Sequence, residues 1–448
     1  MLLKRKIYDT LVNWKKENGK SALLIEGARR VGKTTVVKEF AKNEYKSFIL
    51  IDFSIASDEI KSLFNKYASN LDEFFFLLSA ISGVTLYERD SLIIFDEVQL
   101  FPEARQLIKH LVYDNRYDYI QTGSLLGLKR NVKDILIPSE ERTIKMYPLD
   151  FEEFCWALEK EELFAIIKKH FNELKPLKEL HSTIMKLFRT YILIGGMPQA
   201  VLEYINTNDY NNVDRIKRDI LTLYRNDIAK YANGYEHKVL SIFDEIPSQL
   251  SKHEKKFTLN SIEKSARFRD YEDAFMWLNK AMITNPCYNA TDPNVGLSLY
   301  KDRLTLKMYM GDTGLLLSHA FDEESEMSAE ISKKIITDKL SINNGMIFEN
   351  IVAQMLVAKG KKLYFYSRYD KKSSQNTMEI DFLIRDFKNP AKISPIEVKS
   401  GKNYTISSLN KFTNKFNNKL GNKYLIHTKD LTIKNNIIYL PVYMTIFL

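Results

Sequence analysis

Two groups of residues in this sequence have the types and spacing that chemistry would need. The first is Gly27-Ala28-Arg29-Arg30-Val31-Gly32-Lys33-Thr34, followed by Thr35. Gly27 and Gly32 let the backbone turn so that its N–H groups point inward at an anion. A helix starting here offers its amino terminus to the same anion. Lys33 is placed to reach the β- and γ-phosphates of a nucleoside triphosphate, and the Thr34 hydroxyl to bind Mg2+. The second group lies far downstream: Glu349, Asp381 and Glu397-Val398-Lys399. Side chains on a strand alternate faces, so Glu397 and Lys399 point the same way, and Asp381 on a neighbouring strand can share that face. Two carboxylates with an adjacent carbonyl suit Mg2+, which activates water and clamps a phosphodiester. Lys399 would stabilise or help deprotonate the nucleophile. The bland alternative is that Lys399 pairs with the acids for structure alone.

The elements around the first group support a nucleotide site. An apolar run, Ala22-Leu23-Leu24-Ile25, precedes the loop, and a helical pattern follows it. Lys46–Phe53 reads as a second strand and 57–82 as helical, with Phe74-Phe75-Phe76 as core. Ser91-Leu92-Ile93-Ile94-Phe95-Asp96-Glu97 is an unbroken apolar run ending in two acids, as expected of a strand buried on both faces of a parallel sheet. Ligands of open α/β sheets bind beyond the strand carboxyl ends. Asp96 is thereby placed beside the loop to hold the Mg2+ shell, and Glu97 to orient or deprotonate the attacking water. A strand within Val112–Gly123 brings Thr122 and Ser124 to the same edge, as γ-phosphate contacts or as a plain strand-to-helix turn.

The chain has 448 residues, too long for one ordinary core. Its two cysteines, Cys155 and Cys287, make neither a disulfide framework nor a zinc cluster and fit a reducing compartment. The sequence shows no signal peptide and no apolar run of membrane-spanning length, so a cytoplasmic location without membrane attachment is expected. Net charge is +9. Residues 341–448 hold 17 Lys and Arg against 7 Asp and Glu, so this quarter carries +10 and the rest sums to −1. The excess is either a solvated lysine-rich surface or an electrostatic footprint for nucleic acid, DNA or RNA.

The segments G-A-R-R-V-G-K-T-T, L-I-I-F-D-E-V-Q and Y-I-Q-T-G-S resemble the Walker A, Walker B and sensor-1 segments of an AAA+ ATPase. With Tyr147-Pro148-Leu149-Asp150-Phe151-Glu152-Glu153-Phe154 and the turn Gly195-Gly196-Met197-Pro198, the wording is similar to one little-characterised bacterial and archaeal group. Its members carry a domain of unknown function after the ATPase. The resemblance implies ATP with Mg2+ as cofactors, ATP hydrolysis, and a sensor or arginine-finger role for Arg142. Relatives form rings in some cases, so a homo-oligomer is one expected state, and monomers or dimers in others. The order of elements around Glu349, Asp381, Glu397 and Lys399 resembles the PD-(D/E)xK nuclease superfamily, which implies that Glu349 completes the Mg2+ site of Asp381 and Glu397 from its helix.

The expected fold class is α/β and multidomain. Residues 1–150 form a P-loop AAA+ parallel αβα sandwich, 151–235 a helical lid and 236–318 a winged-helix-like unit. Residues 319–340 form a linker, and 341–448 a nuclease-like α/β domain. Two functions fit. One is an ATP-hydrolysing, DNA-associated protein whose C-terminal domain cleaves DNA with Mg2+. The other is a nucleotide-regulated docking protein whose nuclease-like domain cuts nothing.

Overall fold

A computed structural model describes residues 2–124, 138–252, 255–321, 334–335, 344–370, 377–401 and 403–448. Most of the expected linker 319–340, and residues 341–343 after it, lie outside the described residues. The chain forms two compact units, Met1–Tyr147 with Lys280–Met282, and Pro148–Asn279 with Ile283–Leu448.

The first unit is built on strands β1 (Ala22–Glu26), β2 (Ser47–Asp52), β3 (Ser91–Asp96), β4 (Asp118–Gly123) and β5 (Glu141–Lys145). They form one sheet in the order β2-β3-β4-β1-β5, with every neighbouring pair parallel. The apolar runs explain this arrangement. All six residues of β3 and all six of β4 are buried, as central strands of a parallel sheet covered on both faces must be. The region 57–82 divides into two helices, Asp58–Lys66 and Leu71–Ser82. Asn70 starts the second by accepting the Glu73 amide at 3.3 Å. Phe74 and Phe75 enter the core, whereas Phe76 points outward and is 68% exposed.

The second unit begins with helices Phe151–Ala157, Glu161–Glu173, Glu179–Ile194, Pro198–Thr207 and Tyr210–Tyr231. Asp150 and Glu153 close a reciprocal capping box on the first of them. In the expected winged-helix-like segment, 257–262 yields only the 3-10 turn Leu259–Ser261, after helix Glu236–Ser251 and before helix Glu272–Lys280. Strands β6 (Thr284–Ala290) and β7 (Lys301–Met310) form the expected antiparallel hairpin. The hairpin does not end a separate unit. β6 also pairs in parallel with β8 (Leu363–Arg368), which pairs with β9 (Met378–Ile380). A lone hairpin is marginal in water, and β8 saturates the second edge of β6. The expected division between 236–318 and 341–448 therefore runs through one sheet.

A second sheet has the order β10-β11-β12-β14-β13, from β10 (Phe382–Arg385), β11 (Ile393–Val398), β12 (Lys423–His427), β13 (Thr432–Lys434) and β14 (Ile437–Pro441). Asp381, expected inside a strand, sits at the break between β9 and β10, where the chain passes from one sheet to the other.

Candidate functional site

The first site grows from the carboxyl edge of the parallel sheet. The loop leaves β1 after Glu26. A Cβ on Gly27 would stand 2.6 Å from the Met146 carbonyl oxygen, so no side chain fits there. Gly32 has φ +94°, which side chains rarely adopt. Helix Lys33–Glu44 follows with no side-chain cap at its amino end, the arrangement that serves an anion. Lys33 is buried, and its ammonium donates to the carbonyls of Gly27 at 2.9 Å and Ala28 at 3.1 Å. It lies over the inner face of the loop. Arg29, Arg30 and Thr35 are exposed, while Ala28 and Val31 pack inward. Buried Arg5 donates to the Val31 carbonyl at 2.9 Å and the Tyr147 carbonyl at 2.7 Å, which fixes the loop from outside the motif.

Asp96 ends β3 and is buried. The Thr34 hydroxyl lies 2.8 and 3.0 Å from its two carboxylate oxygens. Thr122 sits on β4, the strand between β3 and β1, and its hydroxyl donates to the same carboxylate. Glu97 leaves the strand in a left-handed conformation, φ +52°. Its carboxylate accepts from the Gln99 side-chain amide and from Ser124 Oγ at 3.4 Å. Thr122 and Ser124 are thus aimed at the two acids and orient them. A hydroxyl against a buried carboxylate, beside an uncapped helix, is a donor set that suits a hard cation such as Mg2+. Arg142 is not brought to this site. It is the second residue of β5, level with Leu23 near the amino end of β1, and pairs with Glu17 at 2.8 Å. In a parallel sheet that is the end away from the loop.

The second site lies in the second unit. Asp381 lies just before β10 and accepts the amide of Val398, the residue after Glu397 on β11, at 2.8 Å. Lys399 Nζ is 2.6 Å from Glu397 Oε1. Glu349 projects from helix Asn344–Ala358, accepts from Tyr309 at 3.0 Å and pairs with Lys255. Into the middle of these acids comes Lys307 of β7. Its ammonium is 2.8 Å from Glu379, 3.6 Å from Asp381 and 3.7 Å from Glu349, and its side chain is 1% exposed. Sequence reasoning missed Lys307, Lys255, Tyr309 and Glu379. Lys307 had a usable signal, a single charge within Leu304–Met310, where an unpaired charge is costly.

The electrostatics follow from burial. Desolvation opposes the charge on Lys307, but Glu349, Glu379 and Asp381 outweigh it and hold the ammonium charged. Burial pushes Glu349 up, yet Lys307 and Lys255 bring it below its ordinary value. Asp381 is raised to about 6 by burial and then by the Glu349 carboxylate. Glu397 is raised to about 8 by burial and then by Asp381, against the pull of Lys399.

A measurable consequence concerns pH. Between its ordinary value of 4.5 and about 8, Glu397 keeps its proton in the folded state and loses it when unfolded. The stability it contributes is present at low pH and falls through that window. Glu397→Gln is expected to flatten the fall, seen in denaturant midpoints of the second unit across that range. An unchanged slope would remove Glu397 as its source.

The expected Mg2+ ligands Glu349, Asp381 and Glu397 do not fit a metal in this arrangement. Among the described residues no group of three His, Cys, Asp or Glu side chains is disposed to hold one. Lys255 and Tyr309 engage Glu349, the Val398 amide takes Asp381 Oδ2, and Lys307 lies against the rest. Of these acids, Glu397 has a buried oxygen, Oε2, with no hydrogen-bond partner.

The loop, the buried Asp96 and the adjoining Glu97 on the carboxyl edge of a five-stranded parallel sheet define a P-loop nucleotide-binding domain. Residues 19–155, which take in most of the first unit, match the family model of an AAA domain. Residues 185–326 and 344–444 match two domains of unknown function, DUF8612 and DUF4143. Lys307 lies in the first of these segments and the acids around it in the second. An uncharacterised protein of Methanocaldococcus jannaschii is 25% identical over 222 residues, 47% of this chain and 44% of its own length. The chain thus spans under half of that relative. Among solved structures, the Aeropyrum pernix Orc1 protein in complex with DNA is 10% identical, with 75% of this chain and 93% of that chain covered at a TM-score of 0.31. AMPPCP-bound DnaA from Aquifex aeolicus is 13% identical, with 60% and 82% covered at 0.28. Neither likeness is close enough to carry an activity across. Among the described residues no helix is long and apolar enough to cross a membrane.

Proposed function

We propose that this chain binds and hydrolyses ATP at Gly27–Thr35 and works in association with DNA. The observation that carries the reading is the Thr34 hydroxyl set against buried Asp96, with Glu97 next in sequence and held by Gln99 and Ser124. Backbone N–H groups of the loop and the start of helix Lys33–Glu44 cradle the phosphates. Lys33 exchanges the carbonyls of Gly27 and Ala28 for the β- and γ-phosphate oxygens, a stronger charge-assisted contact. Thr34 and Asp96 hold Mg2+, which when bound neutralises phosphate charge. Glu97 orients the attacking water and accepts its proton. Thr122 keeps Asp96 facing the loop. The link to DNA rests on the +10 charge of residues 341–448. For the C-terminal domain, Lys307 among the acids favours docking on a nucleic acid or partner over Mg2+-dependent cleavage.

The test is Lys33→Ala. Binding of a fluorescent ATP analogue is expected to weaken by about 10- to 150-fold, the scale of losing a hydrogen bond to a charged group, ~1.5–3 kcal/mol. Binding left intact would end the assignment.

A further inference from the structure

Glu349, Glu379, Asp381 and Glu397 sit together in the second unit, and three ammonium groups answer them: Lys255 on Glu349, Lys399 on Glu397, and Lys307 between Glu349, Glu379 and Asp381. Lys255 and Lys399 approach from the edge, with side chains 13% and 27% exposed. Lys307 is different. It is 1% exposed, lies over the Phe365 ring at 5.1 Å, and approaches three carboxylates, on helix Asn344–Ala358, on β9 and at the β9–β10 break. A buried charge persists only where partners compensate it, and here one ammonium serves all three acids at once. It does the electrostatic work of a metal ion and fills the space one would need. We infer that Lys307 is the built-in cation of this acid cluster, standing where a divalent metal would otherwise bind, so that the wild-type site takes no metal.

This goes beyond the ATPase reading and does not depend on it. Magnesium and manganese ions need several oxygen ligands in a near-octahedral shell. Asp381 Oδ2 already accepts the Val398 amide, and Glu349 already accepts from Tyr309 and Lys255. The ammonium lies 3.6 Å from Asp381 and 3.7 Å from Glu349, so a metal shared by these carboxylates can enter only after Lys307 leaves. The cluster then fixes β7, helix Asn344–Ala358 and the β9–β10 break to one another without any exchangeable ion.

The experiment is Mn2+ binding to the full-length, nucleotide-free protein, followed by electron paramagnetic resonance of free Mn2+. Whatever the wild type binds is expected to be unchanged in Asp381→Asn. Lys307→Met is expected to gain Mn2+ affinity by tenfold or more, and that gain should vanish in Lys307→Met/Asp381→Asn. If Lys307→Met does not fold, Lys307→Met/Glu379→Gln removes one charge of each sign and is expected to show the same gain. Wild-type Mn2+ binding that Asp381→Asn abolishes would overturn the inference. So would a folded Lys307 variant with no gain. Neither result touches the nucleotide site, whose separate test is Lys33→Ala.

Discussion

Glu97→Gln is expected to lower ATP turnover by about a thousandfold while ATP binding changes by less than about threefold, since general-base catalysis contributes typically 10²–10⁴-fold. The geometry separates binding from chemistry. On the proposed reading, phosphate contacts come from the loop and Lys33 and Mg2+ contacts from Thr34 and Asp96, while Glu97 acts only on the water. Its partners are Gln99 and Ser124. The amide isostere keeps the size of the side chain and removes its capacity to take a proton. The wild-type rate is expected to rise when DNA is added, and the variant rate to stay flat, because DNA association can speed only a chemical step that still has its base. A variant that turns over ATP at the wild-type rate would move the base elsewhere, to Asp96 or to a residue outside the loop region. A variant that loses ATP binding would make Glu97 a structural support of the loop.

Much of this site is legible in the sequence because its determinants are local. The glycine spacing of the loop dictates its backbone, and the apolar run Leu92–Phe95 dictates a central strand whose end must carry Asp96. The roles of Thr122 and Ser124 are only half legible. Their strand end is visible, but that Thr122 grips Asp96 requires knowing that β4 lies between β3 and β1. Arg142 shows the limit of wording as a guide. Its place before Tyr147-Pro148-Leu149 suggests a sensor, whereas parallel pairing with β1 puts it near the other end of the sheet. The C-terminal acids are found by the cost of burying charge in an apolar strand, and the same rule applied to Leu304–Met310 would have found Lys307. What it could not reveal is the partner. Lys307 meets Glu349 across 42 residues and Asp381 across 74, through the β6–β8 pairing that joins segments read as separate domains.

Lys307→Met is expected to destabilise the second unit by about 3–5 kcal/mol, the range for breaking a buried ion pair from one side. Removing the ammonium leaves Glu349, Glu379 and Asp381 facing one another with Lys255 as the remaining close cation among the described residues. The loss should be read by hydrogen exchange on peptides of β6, β7 and β8, since two compact units do not guarantee one cooperative transition. Lys399→Met should cost far less, because its side chain is 27% exposed and its charge is partly solvated. Pairing Lys307→Met with Glu379→Gln should recover part of the loss, because it removes the carboxylate nearest the lost ammonium, one whose 31% exposed side chain water already compensates in part. The sign of that coupling is the informative quantity. Recovery means that Lys307 stabilises the fold by neutralising acids that burial would otherwise expel. A double variant that is simply the sum of its parts would mean that the Lys307–Glu379 pairing adds nothing and that Lys307 acts through burial of its side-chain stem.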